Sequence, residues 1–241
     1  NGSGDENVSL LLQVPKRFDW ETPCVLAVPV AGSASLFRDI ATIGYWGLQK
    51  NCAVTYTDKG LGNGFHDLEN DTVTRFDGIR LTAQDAGIDS LFTADIADDQ
   101  RHSFLNNYPH RIAFKHAHSR QNPDASWGRD VLRSIQFALF QLNRLRPSET
   151  DDLDAANTMV IVAGNSNGGG AALYAGENDR EGLIDGIVAA QPQVQLRPDD
   201  RVSVVRGERT IEGTGRSLMD YFTYAILYQP CAAIATPNAP M

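Results

Sequence analysis

Residues Met159 to Tyr174 constrain this chain more than any other stretch. Val160-Ile161-Val162-Ala163 is a short apolar, β-branched run, the pattern of a parallel strand buried on both faces. Gly164-Asn165-Ser166-Asn167-Gly168 follows and fits G-x-S-x-G, and the small residues from Gly169 to Tyr174 read as the start of a helix. Strand, sharp turn with a central serine, then helix is the setting a nucleophile elbow requires. Such a turn holds its serine in a strained backbone conformation, and side chains at the flanking glycines would collide with the neighbouring strand and helix. The expectation is that the hydroxyl of Ser166 stands above the sheet edge. The backbone N–H of Asn167 and the helix N-terminus would then face a developing oxyanion.

Two other readings of the same glycines exist. A phosphate-binding loop also opens a helix with glycines, but the spacing is not G-x-G-x-x-G and no Gly-Lys-Ser/Thr follows. A plain tight turn is the other. The flanking elements decide for the elbow.

The segments before it supply an α/β frame. Val8 to Val14 is a possible strand, and Cys24-Val25-Leu26-Ala27-Val28-Pro29 is a clear one. It runs into the small-residue loop Val30-Ala31-Gly32-Ser33-Ala34-Ser35, where a second oxyanion N–H is expected from Gly32 or Ser33. A serine there also suits a helix cap. Leu36, Ile40, Ile43, Gly47 and Leu48 give the next helix an apolar face. Cys52 to Tyr56 is a further strand, and it leads into a loop with glycines at 60, 62 and 64. Loops at the carboxyl ends of parallel strands line ligand sites in open α/β sheets. Asp58, Lys59, Gly62, Gly64 and His66 are therefore candidates to line substrate, a bare surface loop being the alternative.

Residues 68–108 are polar and acidic and look like part of an insertion spanning about 58–126. Asp95, Asp98 and Asp99 lack the calcium-loop pattern and read as a solvated face. Arg111 to His118 alternates like a strand, which puts His116 and His118 on one face. A third metal ligand is not evident, so these two are substrate-lining candidates or structural histidines, and no metal is expected. Trp127 to Arg146 is an amphipathic helix with a stripe at Val131, Ile135, Ala138, Leu142 and Leu145. Gly186 to Ala190 is another parallel strand, ended by Gln191-Pro192. The character changes from Gln193: a charged run to Arg216, an apolar aromatic helix from Ser217 to Tyr228, then a proline-rich close. Residues 1–192 therefore read as part of an α/β-hydrolase-like core, a mostly parallel sheet with helices on both faces, incomplete at its C-terminal side. Residues 193–241 read as the start of a lid or cap.

A net charge of −9 argues against nucleic acid and anionic membrane surfaces as partners. No apolar run is long enough for a transmembrane helix, and no signal peptide is evident. The first residue is Asn1, so a processed form or a fragment is expected. Three cysteines are too few for a disulfide framework or a zinc site. Cys24 and Cys52 each open an expected strand, which allows them to be neighbours; two buried thiols is the expectation, and whether they pair is left open by the sequence.

In the α/β-hydrolase order the triad runs serine, acid, histidine. All five histidines of this chain precede residue 119. Asp199 and Asp200 are possible acids, but no histidine follows them. The expectation is that the triad acid and histidine lie outside this chain, a base upstream of Ser166 against the usual order being the alternative, and that the chain alone is inactive.

Several of these stretches resemble the D-(−)-3-hydroxybutyrate oligomer hydrolases. They are Tyr56-Thr57-Asp58-Lys59-Gly60 with Gly62-Asn63-Gly64-Phe65-His66-Asp67-Leu68, His116-Ala117-His118-Ser119 with Gln121-Asn122-Pro123, Ser166 to Gly170, and Tyr228-Gln229-Pro230-Cys231-Ala232-Ala233. The resemblance implies a carboxylesterase that cleaves soluble (R)-3-hydroxybutyrate dimers and oligomers, with Ser166 as charge-relay nucleophile. It implies no cofactor, a secreted or periplasmic location, and a longer parent protein. A tannase- or feruloyl-esterase-like enzyme and a non-catalytic binding module on the same fold are the alternative readings.

Overall fold

The computed structural model describes residues 8–31, 36–60, 64–115, 122–148, 150–194, 204–211 and 218–234. The chain divides into two compact units, residues 1–193 and 194–241. In the first unit the strands are β1 (Leu10–Gln13), β2 (Cys24–Pro29), β3 (Ala53–Thr57), β4 (Phe65–Asp67), β5 (Thr72–Thr74), β6 (Arg80–Thr82), β7 (Ile112–Phe114), β8 (Met159–Asn165) and β9 (Gly186–Ala190). Its α-helices are α1 (Ile43–Gln49), α2 (Ala83–Ala86), α3 (Asp98–Asn107), α4 (Asp124–Leu145) and α5 (Asn167–Asn178), and a 3₁₀ turn covers Leu36–Ala41.

Five strands form the central sheet in the order β1-β3-β2-β8-β9. β3, β2, β8 and β9 are parallel, and β1 joins antiparallel on β3. Of the three inner strands, β2 and β3 are buried at every residue. Their residues therefore read as unbroken apolar runs rather than as alternation. Alternate side chains serve two cores. Val25, Ala27, Ala53, Val160 and Val162 pack with Trp127, Val131, Ile135, Ala138 and Leu142 of α4 and with Ala171, Ala172 and Ala175 of α5. Leu26, Val28, Val54 and Tyr56 point the other way, against Leu36, Ile40, Ile43 and Leu48. Helical segments thus cover both faces of a mostly parallel α/β sheet.

The insertion after β3 is built differently. β6-β5-β4-β7 form a small antiparallel sheet whose four strands have three residues each. Val73 and His66 are its buried centre, and Arg101 of α3 closes it by donating to the Leu68 carbonyl. Asp98 pairs with Arg101 and, with Asp99, opens α3 on its exposed side.

Two expectations change. Cys24 and Cys52 are not thiols: they form a disulfide, with Cα atoms 4.6 Å apart. The register explains it. Val25 pairs with Ala53, which sets the preceding residues side by side at the amino ends of β2 and β3. The second unit, taken by itself, holds a hairpin, β10 (Val204–Arg206) with β11 (Arg209–Ile211), inside what reads as a charged run. Its helix α6 (Leu218–Ala233) continues through Pro230 instead of stopping at Tyr228. No helix among the described residues is long and apolar enough to cross a membrane.

Candidate active site

β8 ends at Asn165 and α5 begins at Asn167, so the whole reversal rests on Ser166. Its backbone has φ 57° and ψ −128°, a conformation that L-residues rarely adopt. Three backbone bonds hold it there. Its N–H donates to Ala190 O (3.0 Å), and its carbonyl accepts from Gly170 (3.2 Å) and Gln193 (3.0 Å). The hydroxyl does not cap α5, and the residue is exposed, so Oγ is open to a reactant.

The glycines are needed for closeness. A Cβ on Gly164 would lie 2.2 Å from the Gly168 carbonyl oxygen, and one on Gly168 would lie 2.4 Å from Pro29 O and 3.3 Å from Ala31 N. A Cβ on Gly170 would lie 2.4 Å from Gln193 O. The first turn of α5 is thus wedged between the end of β2 and the segment after β9. Gly128 does the same between helices, where a Cβ would meet Tyr174 backbone at 2.8 Å.

Asn167, the expected oxyanion donor, is the first residue of α5. Gly32 and Ser33 lie outside the described residues. The start of their loop is fixed by two side chains that the sequence reading did not single out. Ala31 N–H donates to the buried carboxylate of Asp39 (3.2 Å), and Arg38 donates to Ala31 O (2.8 Å). Asp39 stands on the same stripe as Leu36, Ile40 and Ile43, and an acid on an apolar stripe is a signal that can be read. Burial, aided by the charge of Asp39, pushes the Tyr56 hydroxyl up to about 12.

The candidates after β3 divide. Asp58 is buried, and its Oδ1 accepts from Gly60 N–H (2.8 Å) and Ser9 N–H (3.1 Å), tying the glycine loop to the lead-in of β1. Burial raises its pKa, and nearby Asp130 adds to the rise while Lys115 opposes it. Asp130 is buried on the α4 stripe beside Trp127 and Val131, pairs with Arg133, and is likewise raised by burial. Lys59 pairs with Asp124, the first residue of α4, at 3.0 Å. Gly64 packs against Leu91 and Phe92, where a Cβ would lie 2.7 Å from the Phe92 side chain.

His66 is 2 % exposed, and both ring nitrogens are engaged. Nδ1 accepts from Ala94 N–H (3.2 Å), so the proton sits on Nε2, which donates to Asp71 (3.0 Å). Gly62, His116, His118, Asp199 and Asp200 lie outside the described residues. Among the described residues no group of three or more His, Cys, Asp or Glu is placed to hold a metal.

Ser166, Pro29-Ala31 and Asp58-Lys59 all follow the carboxyl ends of parallel strands. With β2 between them, β3 and β8 end about 10 Å apart at the usual strand spacing. An open cleft of about 550 Å³ lies farther along this edge, lined by Ser9, Leu10, Phe76, Leu91 and Lys115 among others, and Ser166 is not in its wall.

The 3HB-oligomer hydrolase family model matches residues 1–241. A protein of Albidiferax ferrireducens named D-(−)-3-hydroxybutyrate oligomer hydrolase is 46% identical over 245 residues, which are 99% of this chain and 35% of that protein. Proteins of the same name from a Polaromonas species and an Azoarcus species are 47% and 49% identical, over 99% and 96% of this chain and 35% and 34% of their own lengths. The chain spans about a third of the length of these relatives. A strand, strained serine and glycine-packed helix within a sequence matched from end to end place it: the chain belongs to the 3HB-oligomer hydrolase family.

Proposed function

We propose that the chain is the nucleophile-bearing part of a serine carboxylesterase that hydrolyses oligomers and dimers of (R)-3-hydroxybutyrate to the monomer. The observation that carries the reading is the backbone of Ser166, strained at φ 57° on a turn where Gly164, Gly168 and Gly170 leave no room for a side chain. Strain of this kind persists only where surrounding structure enforces it, and it gathers at reactive residues. The names of the relatives supply the substrate class.

In the mechanism, Ser166 Oγ attacks the ester carbonyl and loses its proton to a general base. The oxyanion is held by Asn167 N–H, by the positive end of α5, and by an N–H of Gly32 or Ser33. Collapse expels the hydroxyl end of the neighbouring unit, which takes up the proton. Water then attacks the acyl-serine, restores the hydroxyl and releases the acid. The base is a histidine, and the order serine, acid, histidine favours one from the remainder of a longer hydrolase, since this chain spans about a third of its relatives. The order β1-β3-β2-β8-β9, with the serine after β8, fits an α/β-hydrolase sheet, and residues 194–241 fit the beginning of a lid. The Cys24–Cys52 disulfide favours an exported enzyme, because such bonds persist in oxidising compartments.

The test is release of monomer from linear (R)-3-hydroxybutyrate trimer by a full-length hydrolase carrying this chain, beside its Ser166→Ala variant. Release by the first and none by the second is expected. Activity of the variant near that of the wild type would refute Ser166 as nucleophile. Failure of the folded wild type on the trimer, with cleavage of aromatic esters, would move the substrate to the tannase-like class.

A further inference from the structure

At the carboxyl edge of the sheet, Lys59 stands in a sheltered setting. The chain has four lysines, Lys16, Lys50, Lys59 and Lys115. The Lys59 side chain is only 11% exposed and stands two residues beyond β3. Its Nζ is 3.0 Å from the Asp124 carboxylate and 5.4 Å from the centre of the Trp127 ring. Trp127 is itself 2% exposed, and its indole N–H is buried without an acceptor among the described residues. The aromatic face holds the ammonium in place, and scarce water strengthens its attraction for an anion.

The two halves of this pair are unequal. Lys59 is fixed by burial, while the Asp124 side chain is 60% exposed and needs little rearrangement to turn into solvent. A carboxylate arriving from solvent would therefore find a preformed cation whose present partner is displaceable. An ammonium also has three donors, enough to serve more than one acceptor. The chain as a whole carries −9, which disfavours anionic ligands, so an acidic substrate needs a local cation near the reacting serine.

An oligomer of 3-hydroxybutyrate carries one free carboxylate, at its acid end. Resting on the hydrolase reading above, we propose that Lys59 recognises this terminal carboxylate, and that Asp124 occupies its place in the free protein. Lys59 and Ser166 follow the ends of β3 and β8 on the same edge, roughly 10 Å apart in strand spacings. Anchoring the acid end at Lys59 brings an ester bond near that end to Ser166. The enzyme then measures from the terminus, which favours short soluble chains over the interior of a polymer.

The experiment uses the full-length hydrolase with two substrates, the linear trimer as free acid and the same trimer as its methyl ester. The wild type should show a KM for the free acid about tenfold lower than for the methyl ester. In Lys59→Met, which keeps an apolar stem against Trp127, the free-acid KM should rise to that of the methyl ester while kcat holds. Lys59→Arg should retain the preference. Asp124→Asn should lower KM for the free acid and leave that for the methyl ester where it was. Equal KM values in the wild type would overturn the proposal. So would a Lys59→Met variant that loses both substrates in proportion, the mark of a structural ion pair. Turnover of neither substrate by the folded wild type would overturn the hydrolase reading itself, a result distinct from loss of preference.

Discussion

One methyl group on Gly168 tests how the elbow is joined to the rest of the site. In Gly168→Ala the new Cβ would stand 2.4 Å from Pro29 O and 3.3 Å from Ala31 N, where ordinary contact begins at 3.4 Å. Both neighbours are backbone, so neither can rotate away. The first turn of α5 and the segment after β2 must separate by about 1 Å to relieve the clash. Overpacking of this kind costs about 1–3 kcal/mol. For a domain of this size that is a fall in Tm of roughly 2–12 °C. The catalytic cost should be larger in proportion. The displaced elements carry the two expected halves of the oxyanion hole, and a misplacement of about 1 Å costs on the order of a hundredfold in rate. Leu142→Ala is the control: Leu142 is fully buried on α4, and its truncation costs about 2–5 kcal/mol at a distance from the serine. Melting by circular dichroism and kcat on the hydroxybutyrate trimer, read below all melting points, separate the effects. Gly168→Ala should lose kcat far beyond Leu142→Ala at equal or smaller loss of Tm. If Gly168→Ala keeps kcat within about twofold, the coupling of α5 to the post-β2 segment through this contact is wrong.

Two further predictions follow from buried groups. The Cys24–Cys52 bond closes a loop of 28 residues, so Cys24→Ala/Cys52→Ala should lower stability by about 3.6 kcal/mol on the chain-entropy estimate. Thiol titration of the unreduced chain in denaturant should count only Cys231, against three thiols after reduction, and three without reductant would remove the bond. Asp58 has its pKa raised by burial, so the folded state holds its proton more tightly than the unfolded state does. Stability from this group is present below the ordinary value of 3.8 and is lost as pH rises through the raised folded value. Urea denaturation from pH 4 upward should therefore show wild type losing stability relative to Asp58→Asn, and the opposite trend would mean the carboxylate is stabilised by its neighbours.

The legible and illegible parts of this chain differ in where their information is stored. The run Cys24–Pro29 and the apolar stretch Val160 to Ala163 could be read directly, because strands largely buried on both faces must be apolar. The elbow was legible for a related reason: three of its glycines are forced by backbone atoms at 2.2–2.4 Å, so the pattern is steric rather than statistical. Of the small sheet only β7 was, through the strand-like alternation that begins at Arg111. Its other strands are three residues long with one apolar residue each, too short for a periodic pattern, and they are held by bonds such as Asn70 to Asp67 and Arg80 to Asp67. His66 was read by its position on a glycine-rich loop, yet its environment comes from Asp71 and Ala94, the latter 28 residues away. The disulfide depends on the pairing register of β2 with β3, which no local pattern encodes. Pro230 misled because proline usually ends a helix, although its fixed φ is compatible with helical backbone and it forfeits one hydrogen bond.

β9 pairs with β8 along one side, and among the described residues nothing pairs along the other. Ile187 and Val188 remain 38% and 58% exposed on it. A parallel edge with uncovered aliphatic side chains is a template: any extended segment that docks there gains backbone hydrogen bonds and hides oil from water in one step. Handled in isolation, the chain offers this template to its own copies. Its practical ceiling is then set by concentration rather than by temperature, with clouding of the solution preceding any loss of the fold. A lysine at position 188 would raise that ceiling without touching the serine turn.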